Sequence, residues 1–92
     1  MKTYELVEVS YVGEILLTVT HNPTFEELTA AIRGEFPSMQ LHQAGYRVRL
    51  DKLPNKDLAY LWILKWLCDH AFEPFSTIGS HHYAFRCEIE QS

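Results

Sequence analysis

The residues with the most chemical capacity in this chain are Cys68, His70, His81, His82 and Cys87. Thiolates and imidazoles suit zinc, but structural zinc sites carry a ligand pair at a characteristic short spacing, about two to four residues between cysteines or three to five between histidines. Cys68 and His70 are too close to share one helix face, and adjacent His81 and His82 diverge if that stretch is extended. A Cys–His nucleophile needs a thiolate beside a base in an accessible pocket. Cys87 instead shares the alternation of Tyr83, Phe85 and Ile89, which makes it an inward, inert thiol. Ser76, Ser80 and His81 have neither a Gly-x-Ser-x-Gly elbow nor a positioned carboxylate. The glycines at 13, 34, 45 and 79 stand too far apart for a phosphate loop or a dinucleotide fingerprint. No residue is therefore assigned to catalysis, to a cofactor or to a metal. Two competing readings stay open: a small-ligand or metal-binding domain using His81, His82 and the helix–strand junction, and a minor enzyme or enzyme subunit.

Charge adds a second candidate. Arg47, Arg49, Lys52 and Lys56 fall close together with only Asp51 intervening among charged types, while Glu5, Glu8 and Glu14 sit on the first hairpin and Glu88 and Glu90 end the last strand. Such faces are ordinarily just solvated. The sharper reading is a basic strip, carried by Arg47 and Arg49, that meets an acidic partner and sets encounter rate and orientation. A formal charge of −4 and a pI near 5.6 speak against a nucleic-acid binder. So does the alternation of the arginines with Tyr46 and Val48, which belong to the core, because a strand-binding groove interleaves basic groups with exposed aromatics.

The element that organises the chain is the run Asn55 to His70. From Leu58 to Cys68 every residue except Lys65 is apolar or aromatic, without Gly or Pro. The run is too short to span a bilayer and too long and Leu-rich for most strands, which predicts a helix capped by Asn55. At about 100° per residue, Ala59, Ile63, Trp66 and Leu67 share one side, with Tyr60 and Leu64 at its margin. The side defined by Asp57, Lys65 and Asp69 also carries Leu58, Leu61, Trp62 and Cys68. A surface helix ordinarily has a polar back. Here the back is apolar too, so either the first helix or the 38–45 loop of the same chain covers it, or a partner does. Leu58, Leu61, Trp62 and Lys65 are the expected contact residues.

Around this helix, Tyr4 to Thr20 predicts a hairpin turning at Gly13, and Thr24 with Glu27 has capping-box spacing for a helix ending near Phe36 before Pro37. Positions 38–45 read as a loop with a short extended piece at Leu41. Tyr46–Leu50 predicts a strand with Tyr46, Val48 and Leu50 inward. The stretch 72–78 is extended, confined by Pro74 to an edge or to an irregular start, and Tyr83–Ile89 forms the last strand. The expected order is ββαβαββ: one α+β domain over residues 1–92, with two helices packed on a mixed or largely antiparallel sheet.

Two resemblances accompany this reading. The opening hairpin followed by Pro23-Thr24-Phe25-Glu26-Glu27-Leu28 to Phe36-Pro37 resembles the first half of a ubiquitin-like (β-grasp) module, of the PB1 and Ras-association kind. The second half departs from it, because such modules rarely carry a helix as long and apolar as Leu58–Cys68. Tyr4–Val9, Ala71-Phe72-Glu73-Pro74-Phe75 and Tyr83-Ala84-Phe85-Arg86 are similar to the Tyr-rich first strand, Gly-Trp-Glu-like turn and Arg-ended strand of small bacterial proteins of unknown function. Ala71 and Phe72 stand where those have Gly and Trp, and the likeness implies no activity.

With 92 residues, 47% hydrophobic and 22% charged, the chain has the composition of a folded globular domain. Met1–Leu6 is not followed by the apolar run of a signal peptide, and the two cysteines fit reduced, buried thiols, with a Cys68–Cys87 disulfide as the alternative. The resulting expectation is a cytoplasmic, non-catalytic protein–protein interaction module (adaptor, inhibitor or regulatory subunit). Its partner is another protein or a second copy of itself, not a nucleic acid or a membrane.

Overall fold

Three hairpins, joined by two helices, make up the chain in the computed structural model, which describes residues 3–51, 55–77, 79 and 81–89. Strands β1 (Thr3–Val12) and β2 (Glu14–Val19) form the first, followed by α1 (Asn22–Glu35). Strands β3 (Gln40–Ala44) and β4 (Arg47–Asp51) form the second, followed by α2 (Lys56–Asp69), and β5 (Glu73–Thr77) and β6 (His82–Ile89) form the third. The hairpins lie side by side in one antiparallel sheet of order β3-β4-β2-β1-β6-β5. This is the expected α+β class. The hairpin-then-helix opening of the β-grasp resemblance is present, but the sheet then continues through two further antiparallel hairpins.

Strand alternation sends one set of side chains to the helices and the other to the open face. Val7, Val9, Ile15, Leu17, Val48, Leu50 and Phe85 are buried against Leu28 and Ile32 of α1 and Ile63 and Leu67 of α2. Each such fully buried aliphatic side chain contributes about 1.5–3 kcal/mol.

The structure corrects several local expectations. The predicted loop 38–45 contains β3, the strand that makes the order ββαββαββ. Its Gln-Leu-His-Gln-Ala sequence has no period of two because four of its five residues are exposed. Gly45, with φ of 61°, takes the first position of the two-residue turn to β4, the type II′ arrangement. Tyr46 lies in that turn, not in the core: it is half-exposed, and its ring meets Phe25 in a T-shaped contact. Helix α1 begins three residues earlier than the capping box predicts, after His21. The Thr24 hydroxyl donates to the buried Glu5 carboxylate instead of capping, and the His21 ring pairs with the other oxygen of Glu5. Thr29 of α1 is buried, its hydroxyl donating back to the Phe25 carbonyl at 2.8 Å. Asn55 does stand at the N-cap of α2, but its side chain makes no capping bond. On α2 the buried set is Ala59, Tyr60, Ile63 and Leu67. Trp66, predicted inward, is only half-buried and stacks on His70, 3.7 Å between centroids.

Two positions yield stability predictions. Helix α2 closes in a Schellman motif: the Phe72 N–H donates to the Leu67 carbonyl at 2.9 Å and the Ala71 N–H to that of Cys68 at 3.2 Å. Ala71 therefore sits at φ of 66°, where an L side chain costs about 1–2 kcal/mol. Ala71→Gly should raise unfolding free energy in urea by about 1 kcal/mol; an unchanged or lower midpoint would contradict the left-handed cap. Separately, the Tyr60 hydroxyl is buried with no hydrogen-bond partner among the described residues, and burial, then the neighbouring Tyr83, pushes its pKa up. Tyr60→Phe removes that unmet group and should be neutral or stabilising by about 1 kcal/mol. A clear destabilisation would mean that the hydroxyl has a partner after all.

Candidate interaction surfaces

The predicted contact residues of α2 come together, and the structure adds a second wall from α1. Where the end of α1 meets α2, Leu58, Leu61, Trp62 and Lys65 line a groove of about 310 Å³ with Glu35 and Phe36. The spacing of 58, 61, 62 and 65 places these side chains on one stripe of α2. Ala59, Ile63 and Leu67, on the other stripe, are held in the core and orient the helix. Leu58 and Leu61 are 62% and 61% exposed. Trp62 is half-buried and meets Phe36 edge to face, 5.7 Å between centroids. The two alternatives for this side of the helix thus divide: α1 covers part of Trp62, and no described residue covers the two leucines. Lys65 reaches Asp69 at 3.5 Å, an exposed i,i+4 pair of little energetic weight. Glu35 and Phe36 were not legible as partners of this stripe, since only the packing of α1 on α2 brings them there.

Arg47 and Arg49 lie elsewhere. Both alternate outward from Val48 and Leu50, which face the helices, so the arginines occupy the opposite, open side of the sheet. Arg49 is held between Glu14 and Asp51, 3.3 Å from each, and Asp51 also receives His42 at 3.1 Å. The register explains this: Arg49 stands opposite Leu16 and His42, so Glu14 is its diagonal neighbour. Lys56 donates its ammonium to the Gly13 carbonyl, and Lys52 is outside the described residues. Of the expected basic strip, Arg49 is thus compensated by carboxylates, and neither arginine adjoins the helical groove.

The open face carries a further apolar surface. Leu6 on β1, Ala84 on β6 and Phe75 on β5 line a pocket of about 250 Å³ with Thr18, Thr20 and Glu8. A bulge between Pro74 and Ser76 interrupts the pairing at Phe75. The Arg86 guanidinium lies over both Tyr4 and Phe75, 5.3 and 5.5 Å from the ring centroids. The alternating Leu6 and the proline of β5 were the only hints of it in the sequence.

The chemically capable residues are dispersed. Cys68 is exposed on α2, not buried as expected, and His70 lies against Trp66. His81 packs on Tyr11 and Tyr60, whereas His82 enters β6 opposite Ser10. Among the described residues, no group of three or more His, Cys, Asp or Glu is placed to hold a metal ion. Ser80 is outside the described residues. Both thiols are free. Cys87 is half-buried opposite Glu5, and burial, then Glu5, Glu73 and Glu88, pushes its pKa up. A bulky thiol reagent at neutral pH should therefore modify Cys68 rapidly and Cys87 slowly, with the Cys87 rate climbing as pH is raised and thiolate forms. Equal rates at the two sites, read by peptide mass, would show Cys87 to be open.

Among the described residues no helix is long and apolar enough to cross a membrane. No protein-family model, characterised protein or solved structure matches the chain.

Proposed function

We propose that the protein is a small non-catalytic protein–protein interaction module (an adaptor, inhibitor or regulatory subunit) that binds through the α1–α2 groove. The observation that carries this reading is Leu58 and Leu61, each more than half exposed on a rigid helix beside Trp62 and Phe36. Large apolar side chains clustered on an exposed helix stripe mark contact sites, and Trp at the centre of such a cluster is a frequent hot spot. Glu35 and Lys65 on the rim supply polar orientation without burying an unpaired charge in the centre. The compensation of Arg49 argues for leaving Arg47 and Arg49 out of this interface; on the far side of the sheet they act, at most, on encounter rate. A cytoplasmic setting belongs to the same proposal, supported by the two unpaired thiols.

Because Leu61 is exposed, Leu61→Glu should change stability by no more than about 0.5 kcal/mol, while Trp62→Ala, which loses the Phe36 contact, should cost about 1–3 kcal/mol. A photo-crosslinking side chain at Leu61 in cells should give a discrete protein adduct that Leu58→Glu abolishes. The same probe at Thr18 on the open face should not give that adduct. No adduct at Leu61, or one that survives Leu58→Glu, would defeat the reading.

A further inference from the structure

The sheet has two edges, and they are built differently. At one edge, β5 carries Pro74 and a bulge between Pro74 and Ser76, two devices that stop another strand from adding on. At the other, β3 carries no proline, bulge or formal charge, and every residue except the half-buried Leu41 is exposed. The backbone frame of β3 follows from its hairpin. In a two-residue turn the closing pair, Ala44 with Arg47, is the hydrogen-bonded one. Alternation then turns the backbone groups of His42 and Gln40 toward β4 as well. The Val19 N–H to Tyr46 carbonyl bond, 2.9 Å, fits this frame, since it turns Tyr46, and by alternation Val48 and Leu50, toward β2. The N–H and C=O groups of Leu41 and Gln43 are left pointing out of the sheet.

We propose that β3 is a self-association edge, on which a second copy of this chain pairs its own β3 antiparallel about a two-fold axis at His42. In that register Leu41 of one copy and Gln43 of the other exchange both backbone bonds, twice over. His42 meets its own mate in a non-hydrogen-bonded pair, about 4.5 Å between Cα atoms. Three features select a second copy over a foreign strand. The symmetric register uses every outward backbone group of the segment. It closes both β3 edges at once, whereas a lone extended foreign strand leaves its own far edge bare. The facing side chains, Leu41 on Gln43, His42 on His42 and Gln40 on Ala44, bring no like formal charges together. An axis normal to the sheet also keeps both helix layers on one side, so the pairing leaves the α1–α2 grooves unused. It rests on the edge geometry alone.

Sedimentation across the micromolar range tests it. The wild-type chain should show a reversible monomer–dimer equilibrium. Gln43→Pro removes an outward donor without touching the β4 ladder, and should raise the dimer Kd by about tenfold or more with an unchanged circular dichroism spectrum. Should that variant fail to fold, charge decides. Chains with His42→Lys or with His42→Glu should each stay monomeric, and an equimolar mixture of the two should dimerise. A wild-type chain that is monomeric throughout overturns the proposal. So does a mixture no more associated than its components, or a dimer that Leu61→Glu dissolves and the β3 variants leave intact. That last result would place the second copy in the helical groove.

Discussion

One face of a six-stranded sheet has to be closed by two helices of fourteen residues each, and most of the structure answers to that requirement. With strands about 4.8 Å apart the sheet is about 24 Å across, and helices packing at about 8–10 Å spacing cover most of that width but not its rims. Helix α2 must also connect β4 to β5, which lie on either side of the central strands, so its path crosses the middle of the sheet. Its buried stripe, Ala59, Tyr60, Ile63 and Leu67, faces the ladder of Val and Ile residues there. Of the remaining apolar residues of α2, Trp62, Leu64 and Trp66 pack partly against the core, while Leu58 and Leu61 stay more than half exposed.

The polar groups drawn into this closure are handled in two ways. Glu5 alternates inward on β1, yet it lies at the end of the core beside the start of α1, where the Thr24 hydroxyl and the His21 ring satisfy it. A buried carboxylate is tolerable only with such partners. Tyr11 similarly sends its hydroxyl to Asp57 at 2.9 Å and ties β1 to the first turn of α2, where a negative charge also suits the helix dipole. Tyr60 is the exception, its ring packed among Tyr11, His81 and Tyr83 and its hydroxyl unmatched among the described residues.

On the open face the same strands present charge, and cross-strand distance controls what that charge is worth. Arg49 spends its guanidinium on Glu14 and Asp51, and Arg86 lies over Tyr4 and Phe75. Arg49 is thereby compensated by carboxylates, whereas Arg86 keeps its full charge over two neutral rings. The contrast between the β5 edge and the plain β3 edge belongs to this level as well, since both strands are short and a proline with a bulge on β5 distinguishes them.

By itself the sequence determined the helix at α2, the hairpin over Tyr4–Thr20, the inward set of β4 from Val48 onward, the extended Pro74 strand and the α+β class. These rest on periodicity and on Gly and Pro punctuation, which are local. It also placed Leu58, Leu61, Trp62 and Lys65 on one stripe, because that is a property of a single helix. Tertiary structure decided the rest. An edge strand such as β3, exposed on both sides, carries no hydrophobic period to detect. The switch of Trp66 and Tyr60 depends on which neighbours the stripe meets. The compensation of Arg49 depends on a register between residues far apart in the chain, and the second wall of the groove on where α1 ends. Pattern reports which way a side chain points along its own element; what it meets there is set by packing between elements.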